Sequence, residues 1–379
     1  MSLLGEPATV FFAAMAPGLD AEARERLGQR VGFHEREEAA GSGRLFDGVR
    51  EALEELVGLG FDLAVCSNGR PDYVDGILSA CGIRGLFRAV QGNETQRTKS
   101  ENLKRLLDET GRPWAVMVGD RFHDFEAARD SAVPSIGAGY GYGGDEVGAA
   151  DFRAGSPGEV VDQVTRCAVF MEIDERLGRS RFIGLNGIDN SGKTEFADAL
   201  AAYLRSRGRE VELIHLDDFH NPRAVRRQGA DELDAYIRNA FDFGRLEREL
   251  LAPARAGGRV DVDLPVLDLE RDAFTERRHY RIGPDTVVIV EGTLLFREPI
   301  DGYLDLRVFL DVEFDEALRR AERRDVPRYG PEFLERYRRK YFPVQRWYMA
   351  THRPAERCDV LIDNDDHRRP RVAWAREKE

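Results

Sequence analysis

Residues 182–204 carry the pattern G-x-x-x-x-G-K-[ST] at Gly187, Gly192, Lys193 and Thr194. A short apolar run, Phe182 to Leu185, enters the glycines, and Phe196, Leu200, Tyr203 and Leu204 leave them at helical spacing. The expected local structure is therefore strand, loop, helix. Glycines let the backbone N–H groups of the loop, Asp189, Asn190, Ser191 and Gly192 among them, close on phosphate oxygens, and the free amides at a helix start favour anions. Lys193 would then reach the β- and γ-phosphates of ATP, and Thr194 would hold Mg²⁺. The competing structural reading is a Gly-rich turn that only packs.

At 379 residues the chain exceeds one ordinary domain, since about 100–200 residues make one. Hydrophobic residues at 42% and charged residues at 33% give ample core-forming material and exclude a disordered chain. No apolar run approaches the roughly 18 residues of a membrane span, and Met1-Ser2-Leu3-Leu4 lacks the basic and apolar regions of a signal peptide. A cytoplasmic location with no membrane partner is expected. The formal net charge of −13 argues against a nucleic-acid partner, whose affinity would come from cationic groups on phosphates. The four cysteines, Cys66, Cys81, Cys167 and Cys358, form no C-x-x-C pair, so neither a zinc site nor a disulfide framework is expected.

The first half alternates between helices and strands. Leu19–Val31 and Val49–Leu59 read as helices, and Phe61–Cys66 as a strand ending in Ser67-Asn68-Gly69. A helix near Tyr73–Cys81, a strand near Ala89-Val90, a helix near Ser100–Glu109 and a strand Trp114–Val118 follow, the last running into Gly119-Asp120 with Asp124 beyond. The alternation predicts a mainly parallel sheet with a site at the strands' C-terminal ends.

Those ends, in the order Ser67-Asn68-Gly69, Lys99, Gly119-Asp120 and Asp124, resemble the second to fourth motifs of haloacid dehalogenase-like phosphatases of the phosphoglycolate phosphatase type. The resemblance covers roughly residues 45–166. It implies that Ser67 and Lys99, with Asn68 beside them, bind a phosphoryl group and that Asp120 and Asp124 hold Mg²⁺. The family's first motif, Asp-x-Asp-x-Thr, carries the nucleophile and occurs nowhere in the chain; the early Asp20 and Asp47 stand in the wrong setting. Residues 8–44 read as the back half of a helical cap. This half is therefore expected to be an inactive, N-terminally incomplete phosphatase-like domain, or a phosphomonoesterase whose start has been clipped.

A helix opening at Ser156-Pro157-Gly158 and running to about Leu177 leads to a boundary at Gly178-Arg179-Ser180. The expected division is 1–166, a linker helix 167–179, and 180–379. Beyond the phosphate loop, the strand Val211–Leu216 ends in Asp217-Asp218-Phe219-His220. Either carboxylate there can face a γ-phosphate and take a proton from an acceptor hydroxyl, or cap the next turn. The strand Thr286–Val290 ends in Glu291, placed as such sheets place an acidic group for Mg²⁺. After the strand Leu306–Leu310, a helix over Ala317–Asp325 sets Arg320, Arg323 and Arg324 on one face, either as a lid over phosphates or as a solvated surface. Tyr337, Tyr341, Trp347 and Tyr348 read first as helical core packing and second as a pocket lining.

Residues 181–365 resemble the uridine kinase family, with phosphoribulokinase and pantothenate kinase more distant. The resemblance rests on Gly187–Thr194, Leu216–His220, Phe241-Asp242, Pro265–Asp268, Val290–Gly292, the arginine helix and Cys358–Asn364. It implies a nucleoside monophosphate kinase-like fold and ATP-dependent transfer to a primary hydroxyl, with Asp217 as base, Asp242 on a ribose hydroxyl, His220 and Asp268 in the acceptor pocket beside Asp218, and Arg320 and Arg324 as the lid. Two segments depart from the family: Val326–Pro331 in the lid and Asp268-Leu269-Glu270-Arg271 near the acceptor base. The fold class expected overall is α/β, as two three-layer α/β/α domains. The function expected is a kinase for a nucleoside-like hydroxyl acceptor, with a non-catalytic ATP-binding regulatory module as the alternative. The residues leave homo-oligomerisation open.

Overall fold

The computed structural model describes residues 13–93, 97–111 and 114–376 of the chain. It divides into two compact units, Met1–Cys167 and Ala168–Glu379. In the first unit, helices α1 (Ala21–Ser42) and α2 (Val49–Gly58) precede strand β1 (Leu63–Cys66), helix α3 (Pro71–Ala80), strand β2 (Phe87–Gln91), helix α4 (Lys99–Thr110) and strand β3 (Met117–Gly119). Helix α5 (Phe122–Asp130) and strands β4 (Ser135–Ala138) and β5 (Phe152–Ala154) follow. All pairings here are parallel, in two separate ladders, β1-β2 and β3-β4-β5.

Local signals place these elements well. Thr98 and Glu101 close a reciprocal capping box that starts α4, and Gly111 ends it in the left-handed region, where a side chain would be strained. Two expectations shift. The first helix starts at Ala21 and runs on to Ser42, because Glu, Arg and Ala continue past Val31 with no proline to stop them. The strand expected over Trp114–Val118 forms over Met117–Gly119, with Ala115 packed against the cluster of Leu103, Met117 and Val133.

Helix α6 (Pro157–Leu177) runs across the division between the units. The second unit opens on β6 (Phe182–Gly187), α7 (Lys193–Ser206) and β7 (Val211–His215), followed by α8 (Glu232–Asn239). Strands β8 (Val260–Asp268) and β9 (Ala273–Ile282) form an antiparallel hairpin that strand-by-strand reading of the sequence did not anticipate. Next come β10 (Val287–Gly292), β11 (Leu306–Asp311), α9 (Phe314–Tyr329), α10 (Phe342–His352), β12 (Val360–Asp363) and β13 (Arg371–Ala375). The main sheet has the order β13-β12-β11-β6-β10-β7, parallel except for the edge strand β13.

Alternation along the central strands divides the core between two faces. Phe182, Val288, Val290 and Phe309 join one cluster with Leu246, Leu250, Leu295 and Ile300. Ile183, Leu185, Ile289 and Val308 point the other way and are fully buried, on the side where α7 lays Phe196, Leu200 and Leu204. At the base of the sheet, Asp305 accepts hydrogen bonds from the Arg181 and Phe182 amides at 3.0 Å each and from both terminal nitrogens of Arg255 at 2.9 and 2.6 Å. No described helix is long and apolar enough to cross a membrane.

Candidate active site

The second unit builds its site where β6, β7 and β10 end together. Gly187 has no room for a side chain: a Cβ there would lie 2.6 Å from Ser191 Oγ and 2.8 Å from the Leu310 carbonyl. The loop is thereby folded tightly onto the neighbouring strand, so that Lys193 opens α7. Lys193 Nζ donates to the Ile188 carbonyl at 2.9 Å, a bond inside the loop that a phosphate oxygen can replace. Thr194 Oγ1 donates to Glu291 Oε1 at 3.1 Å, so two residues 97 positions apart come together.

His215, at the end of β7, adds a contact that the motif reading had not singled out: its Nδ1 lies 2.8 Å from the same Glu291 oxygen. The sequence signal was available, since His215 immediately precedes the Leu216–His220 motif. Burial works to raise the Glu291 carboxyl, but the His215 hydrogen bond, the Lys193 charge and the Thr194 hydroxyl together hold it below its ordinary value. The Glu291 hydrogen bond in turn raises His215 above its ordinary value, against the effect of burial. A hydroxyl and an ionised carboxylate at 3.1 Å fit a hard cation that keeps its other sites for water and phosphate.

Of the paired aspartates after β7, the structure separates the roles. Asp218 Oδ2 accepts from Arg278 at 2.8 Å and from the Tyr280 hydroxyl at 2.7 Å, tying the turn to the hairpin. Asp217 remains 79% exposed, its Oδ1 3.9 Å from His220 Nδ1. His220 Nδ1 meets the Asp217 carbonyl at 2.9 Å, and its ring packs on Phe241 at 4.4 Å. Asp242 Oδ1 caps the short helix after it through the Arg245 amide at 2.9 Å. Asp268 Oδ1 accepts from the Glu270 and Arg271 amides at 2.9 and 3.0 Å, bonds that lower its pKa.

The arginines of α9 are also engaged. Arg320 donates to the carbonyls of Asn190, Ser191, Asn364 and Asp365, bracing the phosphate loop from behind. Arg324 pairs with Asp325 at 2.8 and 3.1 Å, and Tyr337 donates to Asp325 at 2.6 Å. Tyr348 is buried, its hydroxyl accepting from Asn186 Nδ2 and the Phe296 amide, so Tyr337 and Tyr348 serve as core residues with satisfied hydroxyls.

In the first unit, Lys99 and Asp124 meet as an ion pair with side chains 15% and 5% exposed. Asp124 Oδ2 also accepts from the Asp120 and Arg121 amides at 3.1 and 3.0 Å. The carboxylate lies so close under Gly119 that a Cβ there would fall 2.2 Å from Oδ2. Asp120 Oδ2 is taken by the Tyr142 amide at 2.6 Å, and Ser67 Oγ accepts from the Gly69 amide at 3.0 Å, with Asn68 between them. Lys99 and Asp124 also influence Cys66, whose thiol burial pushes up. Next to these groups lies an apolar cleft of about 510 Å³ whose walls include Leu63–Cys66 of β1 on one side and Ala115–Val118 on the other. Among the described strands β1 pairs only with β2 and β3 only with β4, and residues of both line the cleft.

Residues 2–138 match the family model for haloacid dehalogenase-like hydrolases, and residues 182–350 that of the phosphoribulokinase / uridine kinase family. A 5'-nucleotidase from Pseudomonas aeruginosa is 35% identical over 119 residues, 30% of this chain and 52% of that protein. A uridine kinase from Alkaliphilus metalliredigens is 27% identical over 184 residues, 47% of this chain and 80% of that protein. The solved structure of a possible uridine kinase from Bacillus stearothermophilus superposes with a TM-score of 0.43 at 24% identity, covering 52% of this chain and 97% of that one. The chain spans about half the length of the first curated relatives matched by its N-terminal part. The second unit is a uridine kinase-like phosphate-loop domain, and the first is a haloacid dehalogenase-like domain.

Proposed function

We propose that the second unit transfers the γ-phosphoryl group of ATP to a hydroxyl of a nucleoside or similar small metabolite. The observation that carries this reading is the meeting of Thr194, Glu291 and His215 at the mouth of a phosphate loop that holds Lys193. The relatives named uridine kinase support it. Glu291 and Thr194 would hold Mg²⁺, which supplies charge neutralisation between the β- and γ-phosphates. Loop amides and Lys193 bind and orient the phosphates.

Asp217, exposed at the strand end, takes the proton of the acceptor hydroxyl. The acceptor oxygen forms its bond to the γ-phosphorus as the bond to the bridging oxygen breaks, and ADP leaves. Arg320 acts here by fixing the loop rather than by reaching over the phosphates, and Arg324 by holding Asp325 and Tyr337.

We further propose that residues 1–166 do not turn over phosphate esters without an Asp-x-Asp-x-Thr segment to supply an attacking carboxylate. ADP release across a panel of nucleosides, sugars and vitamins tests the kinase reading, with Asp217→Asn as control. Turnover with one class of acceptor, reduced roughly 10²–10⁴-fold in the variant, is expected. ATP binding without ADP release across the whole panel would replace the kinase with a regulatory module. Phosphate release from p-nitrophenyl phosphate by the same chain would overturn the silence of the first unit.

A further inference from the structure

The turn of the β8–β9 hairpin and the end of helix α9 meet through an ion pair in which Arg328 donates to Glu270 Oε1 at 2.6 Å. Both side chains are well exposed. Glu270 lies in the hairpin turn, between the paired residues Asp268 and Ala273. The two segments that depart from the uridine kinase pattern, Val326–Pro331 and Asp268–Arg271, are thereby joined to each other.

The contacts leading to this pair close a circuit that starts and ends at the turn carrying Asp217. On one side, Asp218 holds Arg278 at 2.8 Å and the Tyr280 hydroxyl at 2.7 Å, and from Arg278 the strand runs back to Ala273, a reach of about 16 Å over five residues. Between the arms lies a floor of rings: His220 packs on Phe241 at 4.4 Å, Phe241 on Tyr236 at 6.4 Å, and Tyr236 on Tyr341 at 5.8 Å. On the other side the rings of Tyr337, Phe333 and Tyr329 continue from Tyr341 in steps of 5.3, 5.9 and 4.7 Å, a reach comparable to that of the hairpin. Arg328 lies over the Tyr329 ring at 4.9 Å and carries the circuit across to Glu270.

The two ends of the clasp are held unequally. Asp272 Oδ1 accepts from the Arg223 amide at 2.7 Å and from the Arg226 side chain at 3.3 Å, while Asp268 Oδ1 takes the Glu270 and Arg271 amides, so the hairpin turn keeps its shape without Arg328. The end of α9 has fewer restraints. Pro327 inside the helix supplies no N–H to it, and Gly330 beyond Tyr329 takes a φ of 84°, where a side chain would be strained. An exposed ion pair biases a closed state over an open one by no more than about fivefold, so this contact holds the helix end across the hairpin while letting it open.

We propose that Arg328 and Glu270 are specificity-determining residues whose ion pair clasps the outer end of the acceptor slot, with the last turn of α9 as the moving jaw. The closed clasp excludes acceptors extended at the end remote from the phosphorylated hydroxyl. This role rests on the kinase reading above, in which Asp217 at the base of the slot takes the hydroxyl proton. Arg328 and Glu270 engage each other rather than the phosphate loop, so ATP binding does not depend on them.

The test uses the full chain with Arg328→Glu, Glu270→Arg and the two together, which restore the pair with its charges exchanged. It compares kcat/KM for uridine with that for 5-phenyluridine and N3-benzyluridine, which extend the base in two directions; if the wider panel finds a different acceptor, that acceptor and its benzyl ethers take their place. Each single reversal should raise the ratio of an extended acceptor to its parent about fivefold or more, because attraction becomes repulsion, and the exchanged pair should bring it back to within about twofold. Raising the salt from about 0.05 to about 0.5 M should increase the ratio in the unsubstituted chain and decrease it in the single reversals, since screening weakens both the attraction and the repulsion. Affinity for a non-hydrolysable ATP analogue, measured by calorimetry, should stay within about threefold throughout. Amide hydrogen exchange over residues 326–334 should quicken in each reversal and recover in the exchanged pair.

A ratio unchanged in both reversals, a ratio not recovered in the exchanged pair, or a tenfold loss of ATP-analogue affinity overturns the clasp alone. Unchanged hydrogen exchange overturns the moving jaw. If the unsubstituted chain turns over no acceptor in the panel, the kinase reading fails and takes the acceptor role of the clasp with it, and quickened exchange in the reversals then marks Arg328 and Glu270 as a structural contact only.

Discussion

Each unit places a lysine at the start of a helix near a carboxylate, Asp124 in the first turn of α5 and Glu291 at the end of β10, and the two use it differently. In the first, Lys99 is committed to Asp124, a nearly buried carboxylate already bound by two amides. In the second, Lys193 rests on a carbonyl of its own loop, while Glu291 is held by a hydroxyl and a histidine. A lysine parked on a neutral carbonyl exchanges readily for phosphate; a lysine in a buried ion pair is part of the scaffold, because removing either charge leaves the other unpaired. The sheets differ in the same sense. The main sheet of the second unit has six strands in one ladder, whereas the described strands of the first form two ladders, with an apolar cleft lined by residues of β1 and of the segment leading into β3.

The comparison can be broken most directly through the two lysines. Lys193→Ala should lower ADP release roughly 10²–10³-fold, the scale of losing one preorganised charge contact, with the thermal midpoint unchanged. A large drop in the midpoint would show that Lys193 is scaffold after all. Lys99→Met should do the reverse, costing the first unit about 3 kcal/mol in chemical denaturation by stranding Asp124, with kinase turnover untouched. A neutral effect on stability would place Lys99 in the same poised class as Lys193.

The smallest effect sharpens the contrast between the sheets. Asp305, at the base of the continuous sheet, is opposed by burial but held below its ordinary value of 3.8 by Arg255 and by the Arg181 and Phe182 amides. Its folded pKa lies below the unfolded one, so its contribution is present above pH 3.8 and is lost as the pH falls through the folded value. Asp305→Asn should cost about 1 kcal/mol at pH 7, discounted for the solvent access of Arg255, and the gap should close in acid. Denaturation curves at pH 7 and pH 3 that show a constant gap would assign the loss to packing instead.

Much of this was legible in the residues. The loop Gly187–Thr194 with its flanks specified β6 and α7, because glycine spacing and a 3.6-residue apolar period are local properties. The hairpin was missed although Val260, Val262 and Leu264 alternate with aspartates, since its second strand is almost wholly exposed and carries no apolar stripe. Asp218, Asp242 and Asp268 illustrate the limit for the site. Each has the residue type a substrate ligand needs, and each is engaged by a hydrogen bond whose donor lies on an arginine, a tyrosine or a backbone amide that motif spacing does not specify.

The sequence by itself determined the phosphate loop, the α/β alternation and the order of the carboxylates, all of which follow from short-range periodicity and from the chemistry of residue types. Only the tertiary structure decided which carboxylates remain available. The pairing of Thr194 with Glu291 across 97 positions and the hydrogen bonds of Arg320 to the loop carbonyls both depend on which strand ends the parallel sheet brings side by side. Non-local pairing is set by the packing of the whole unit.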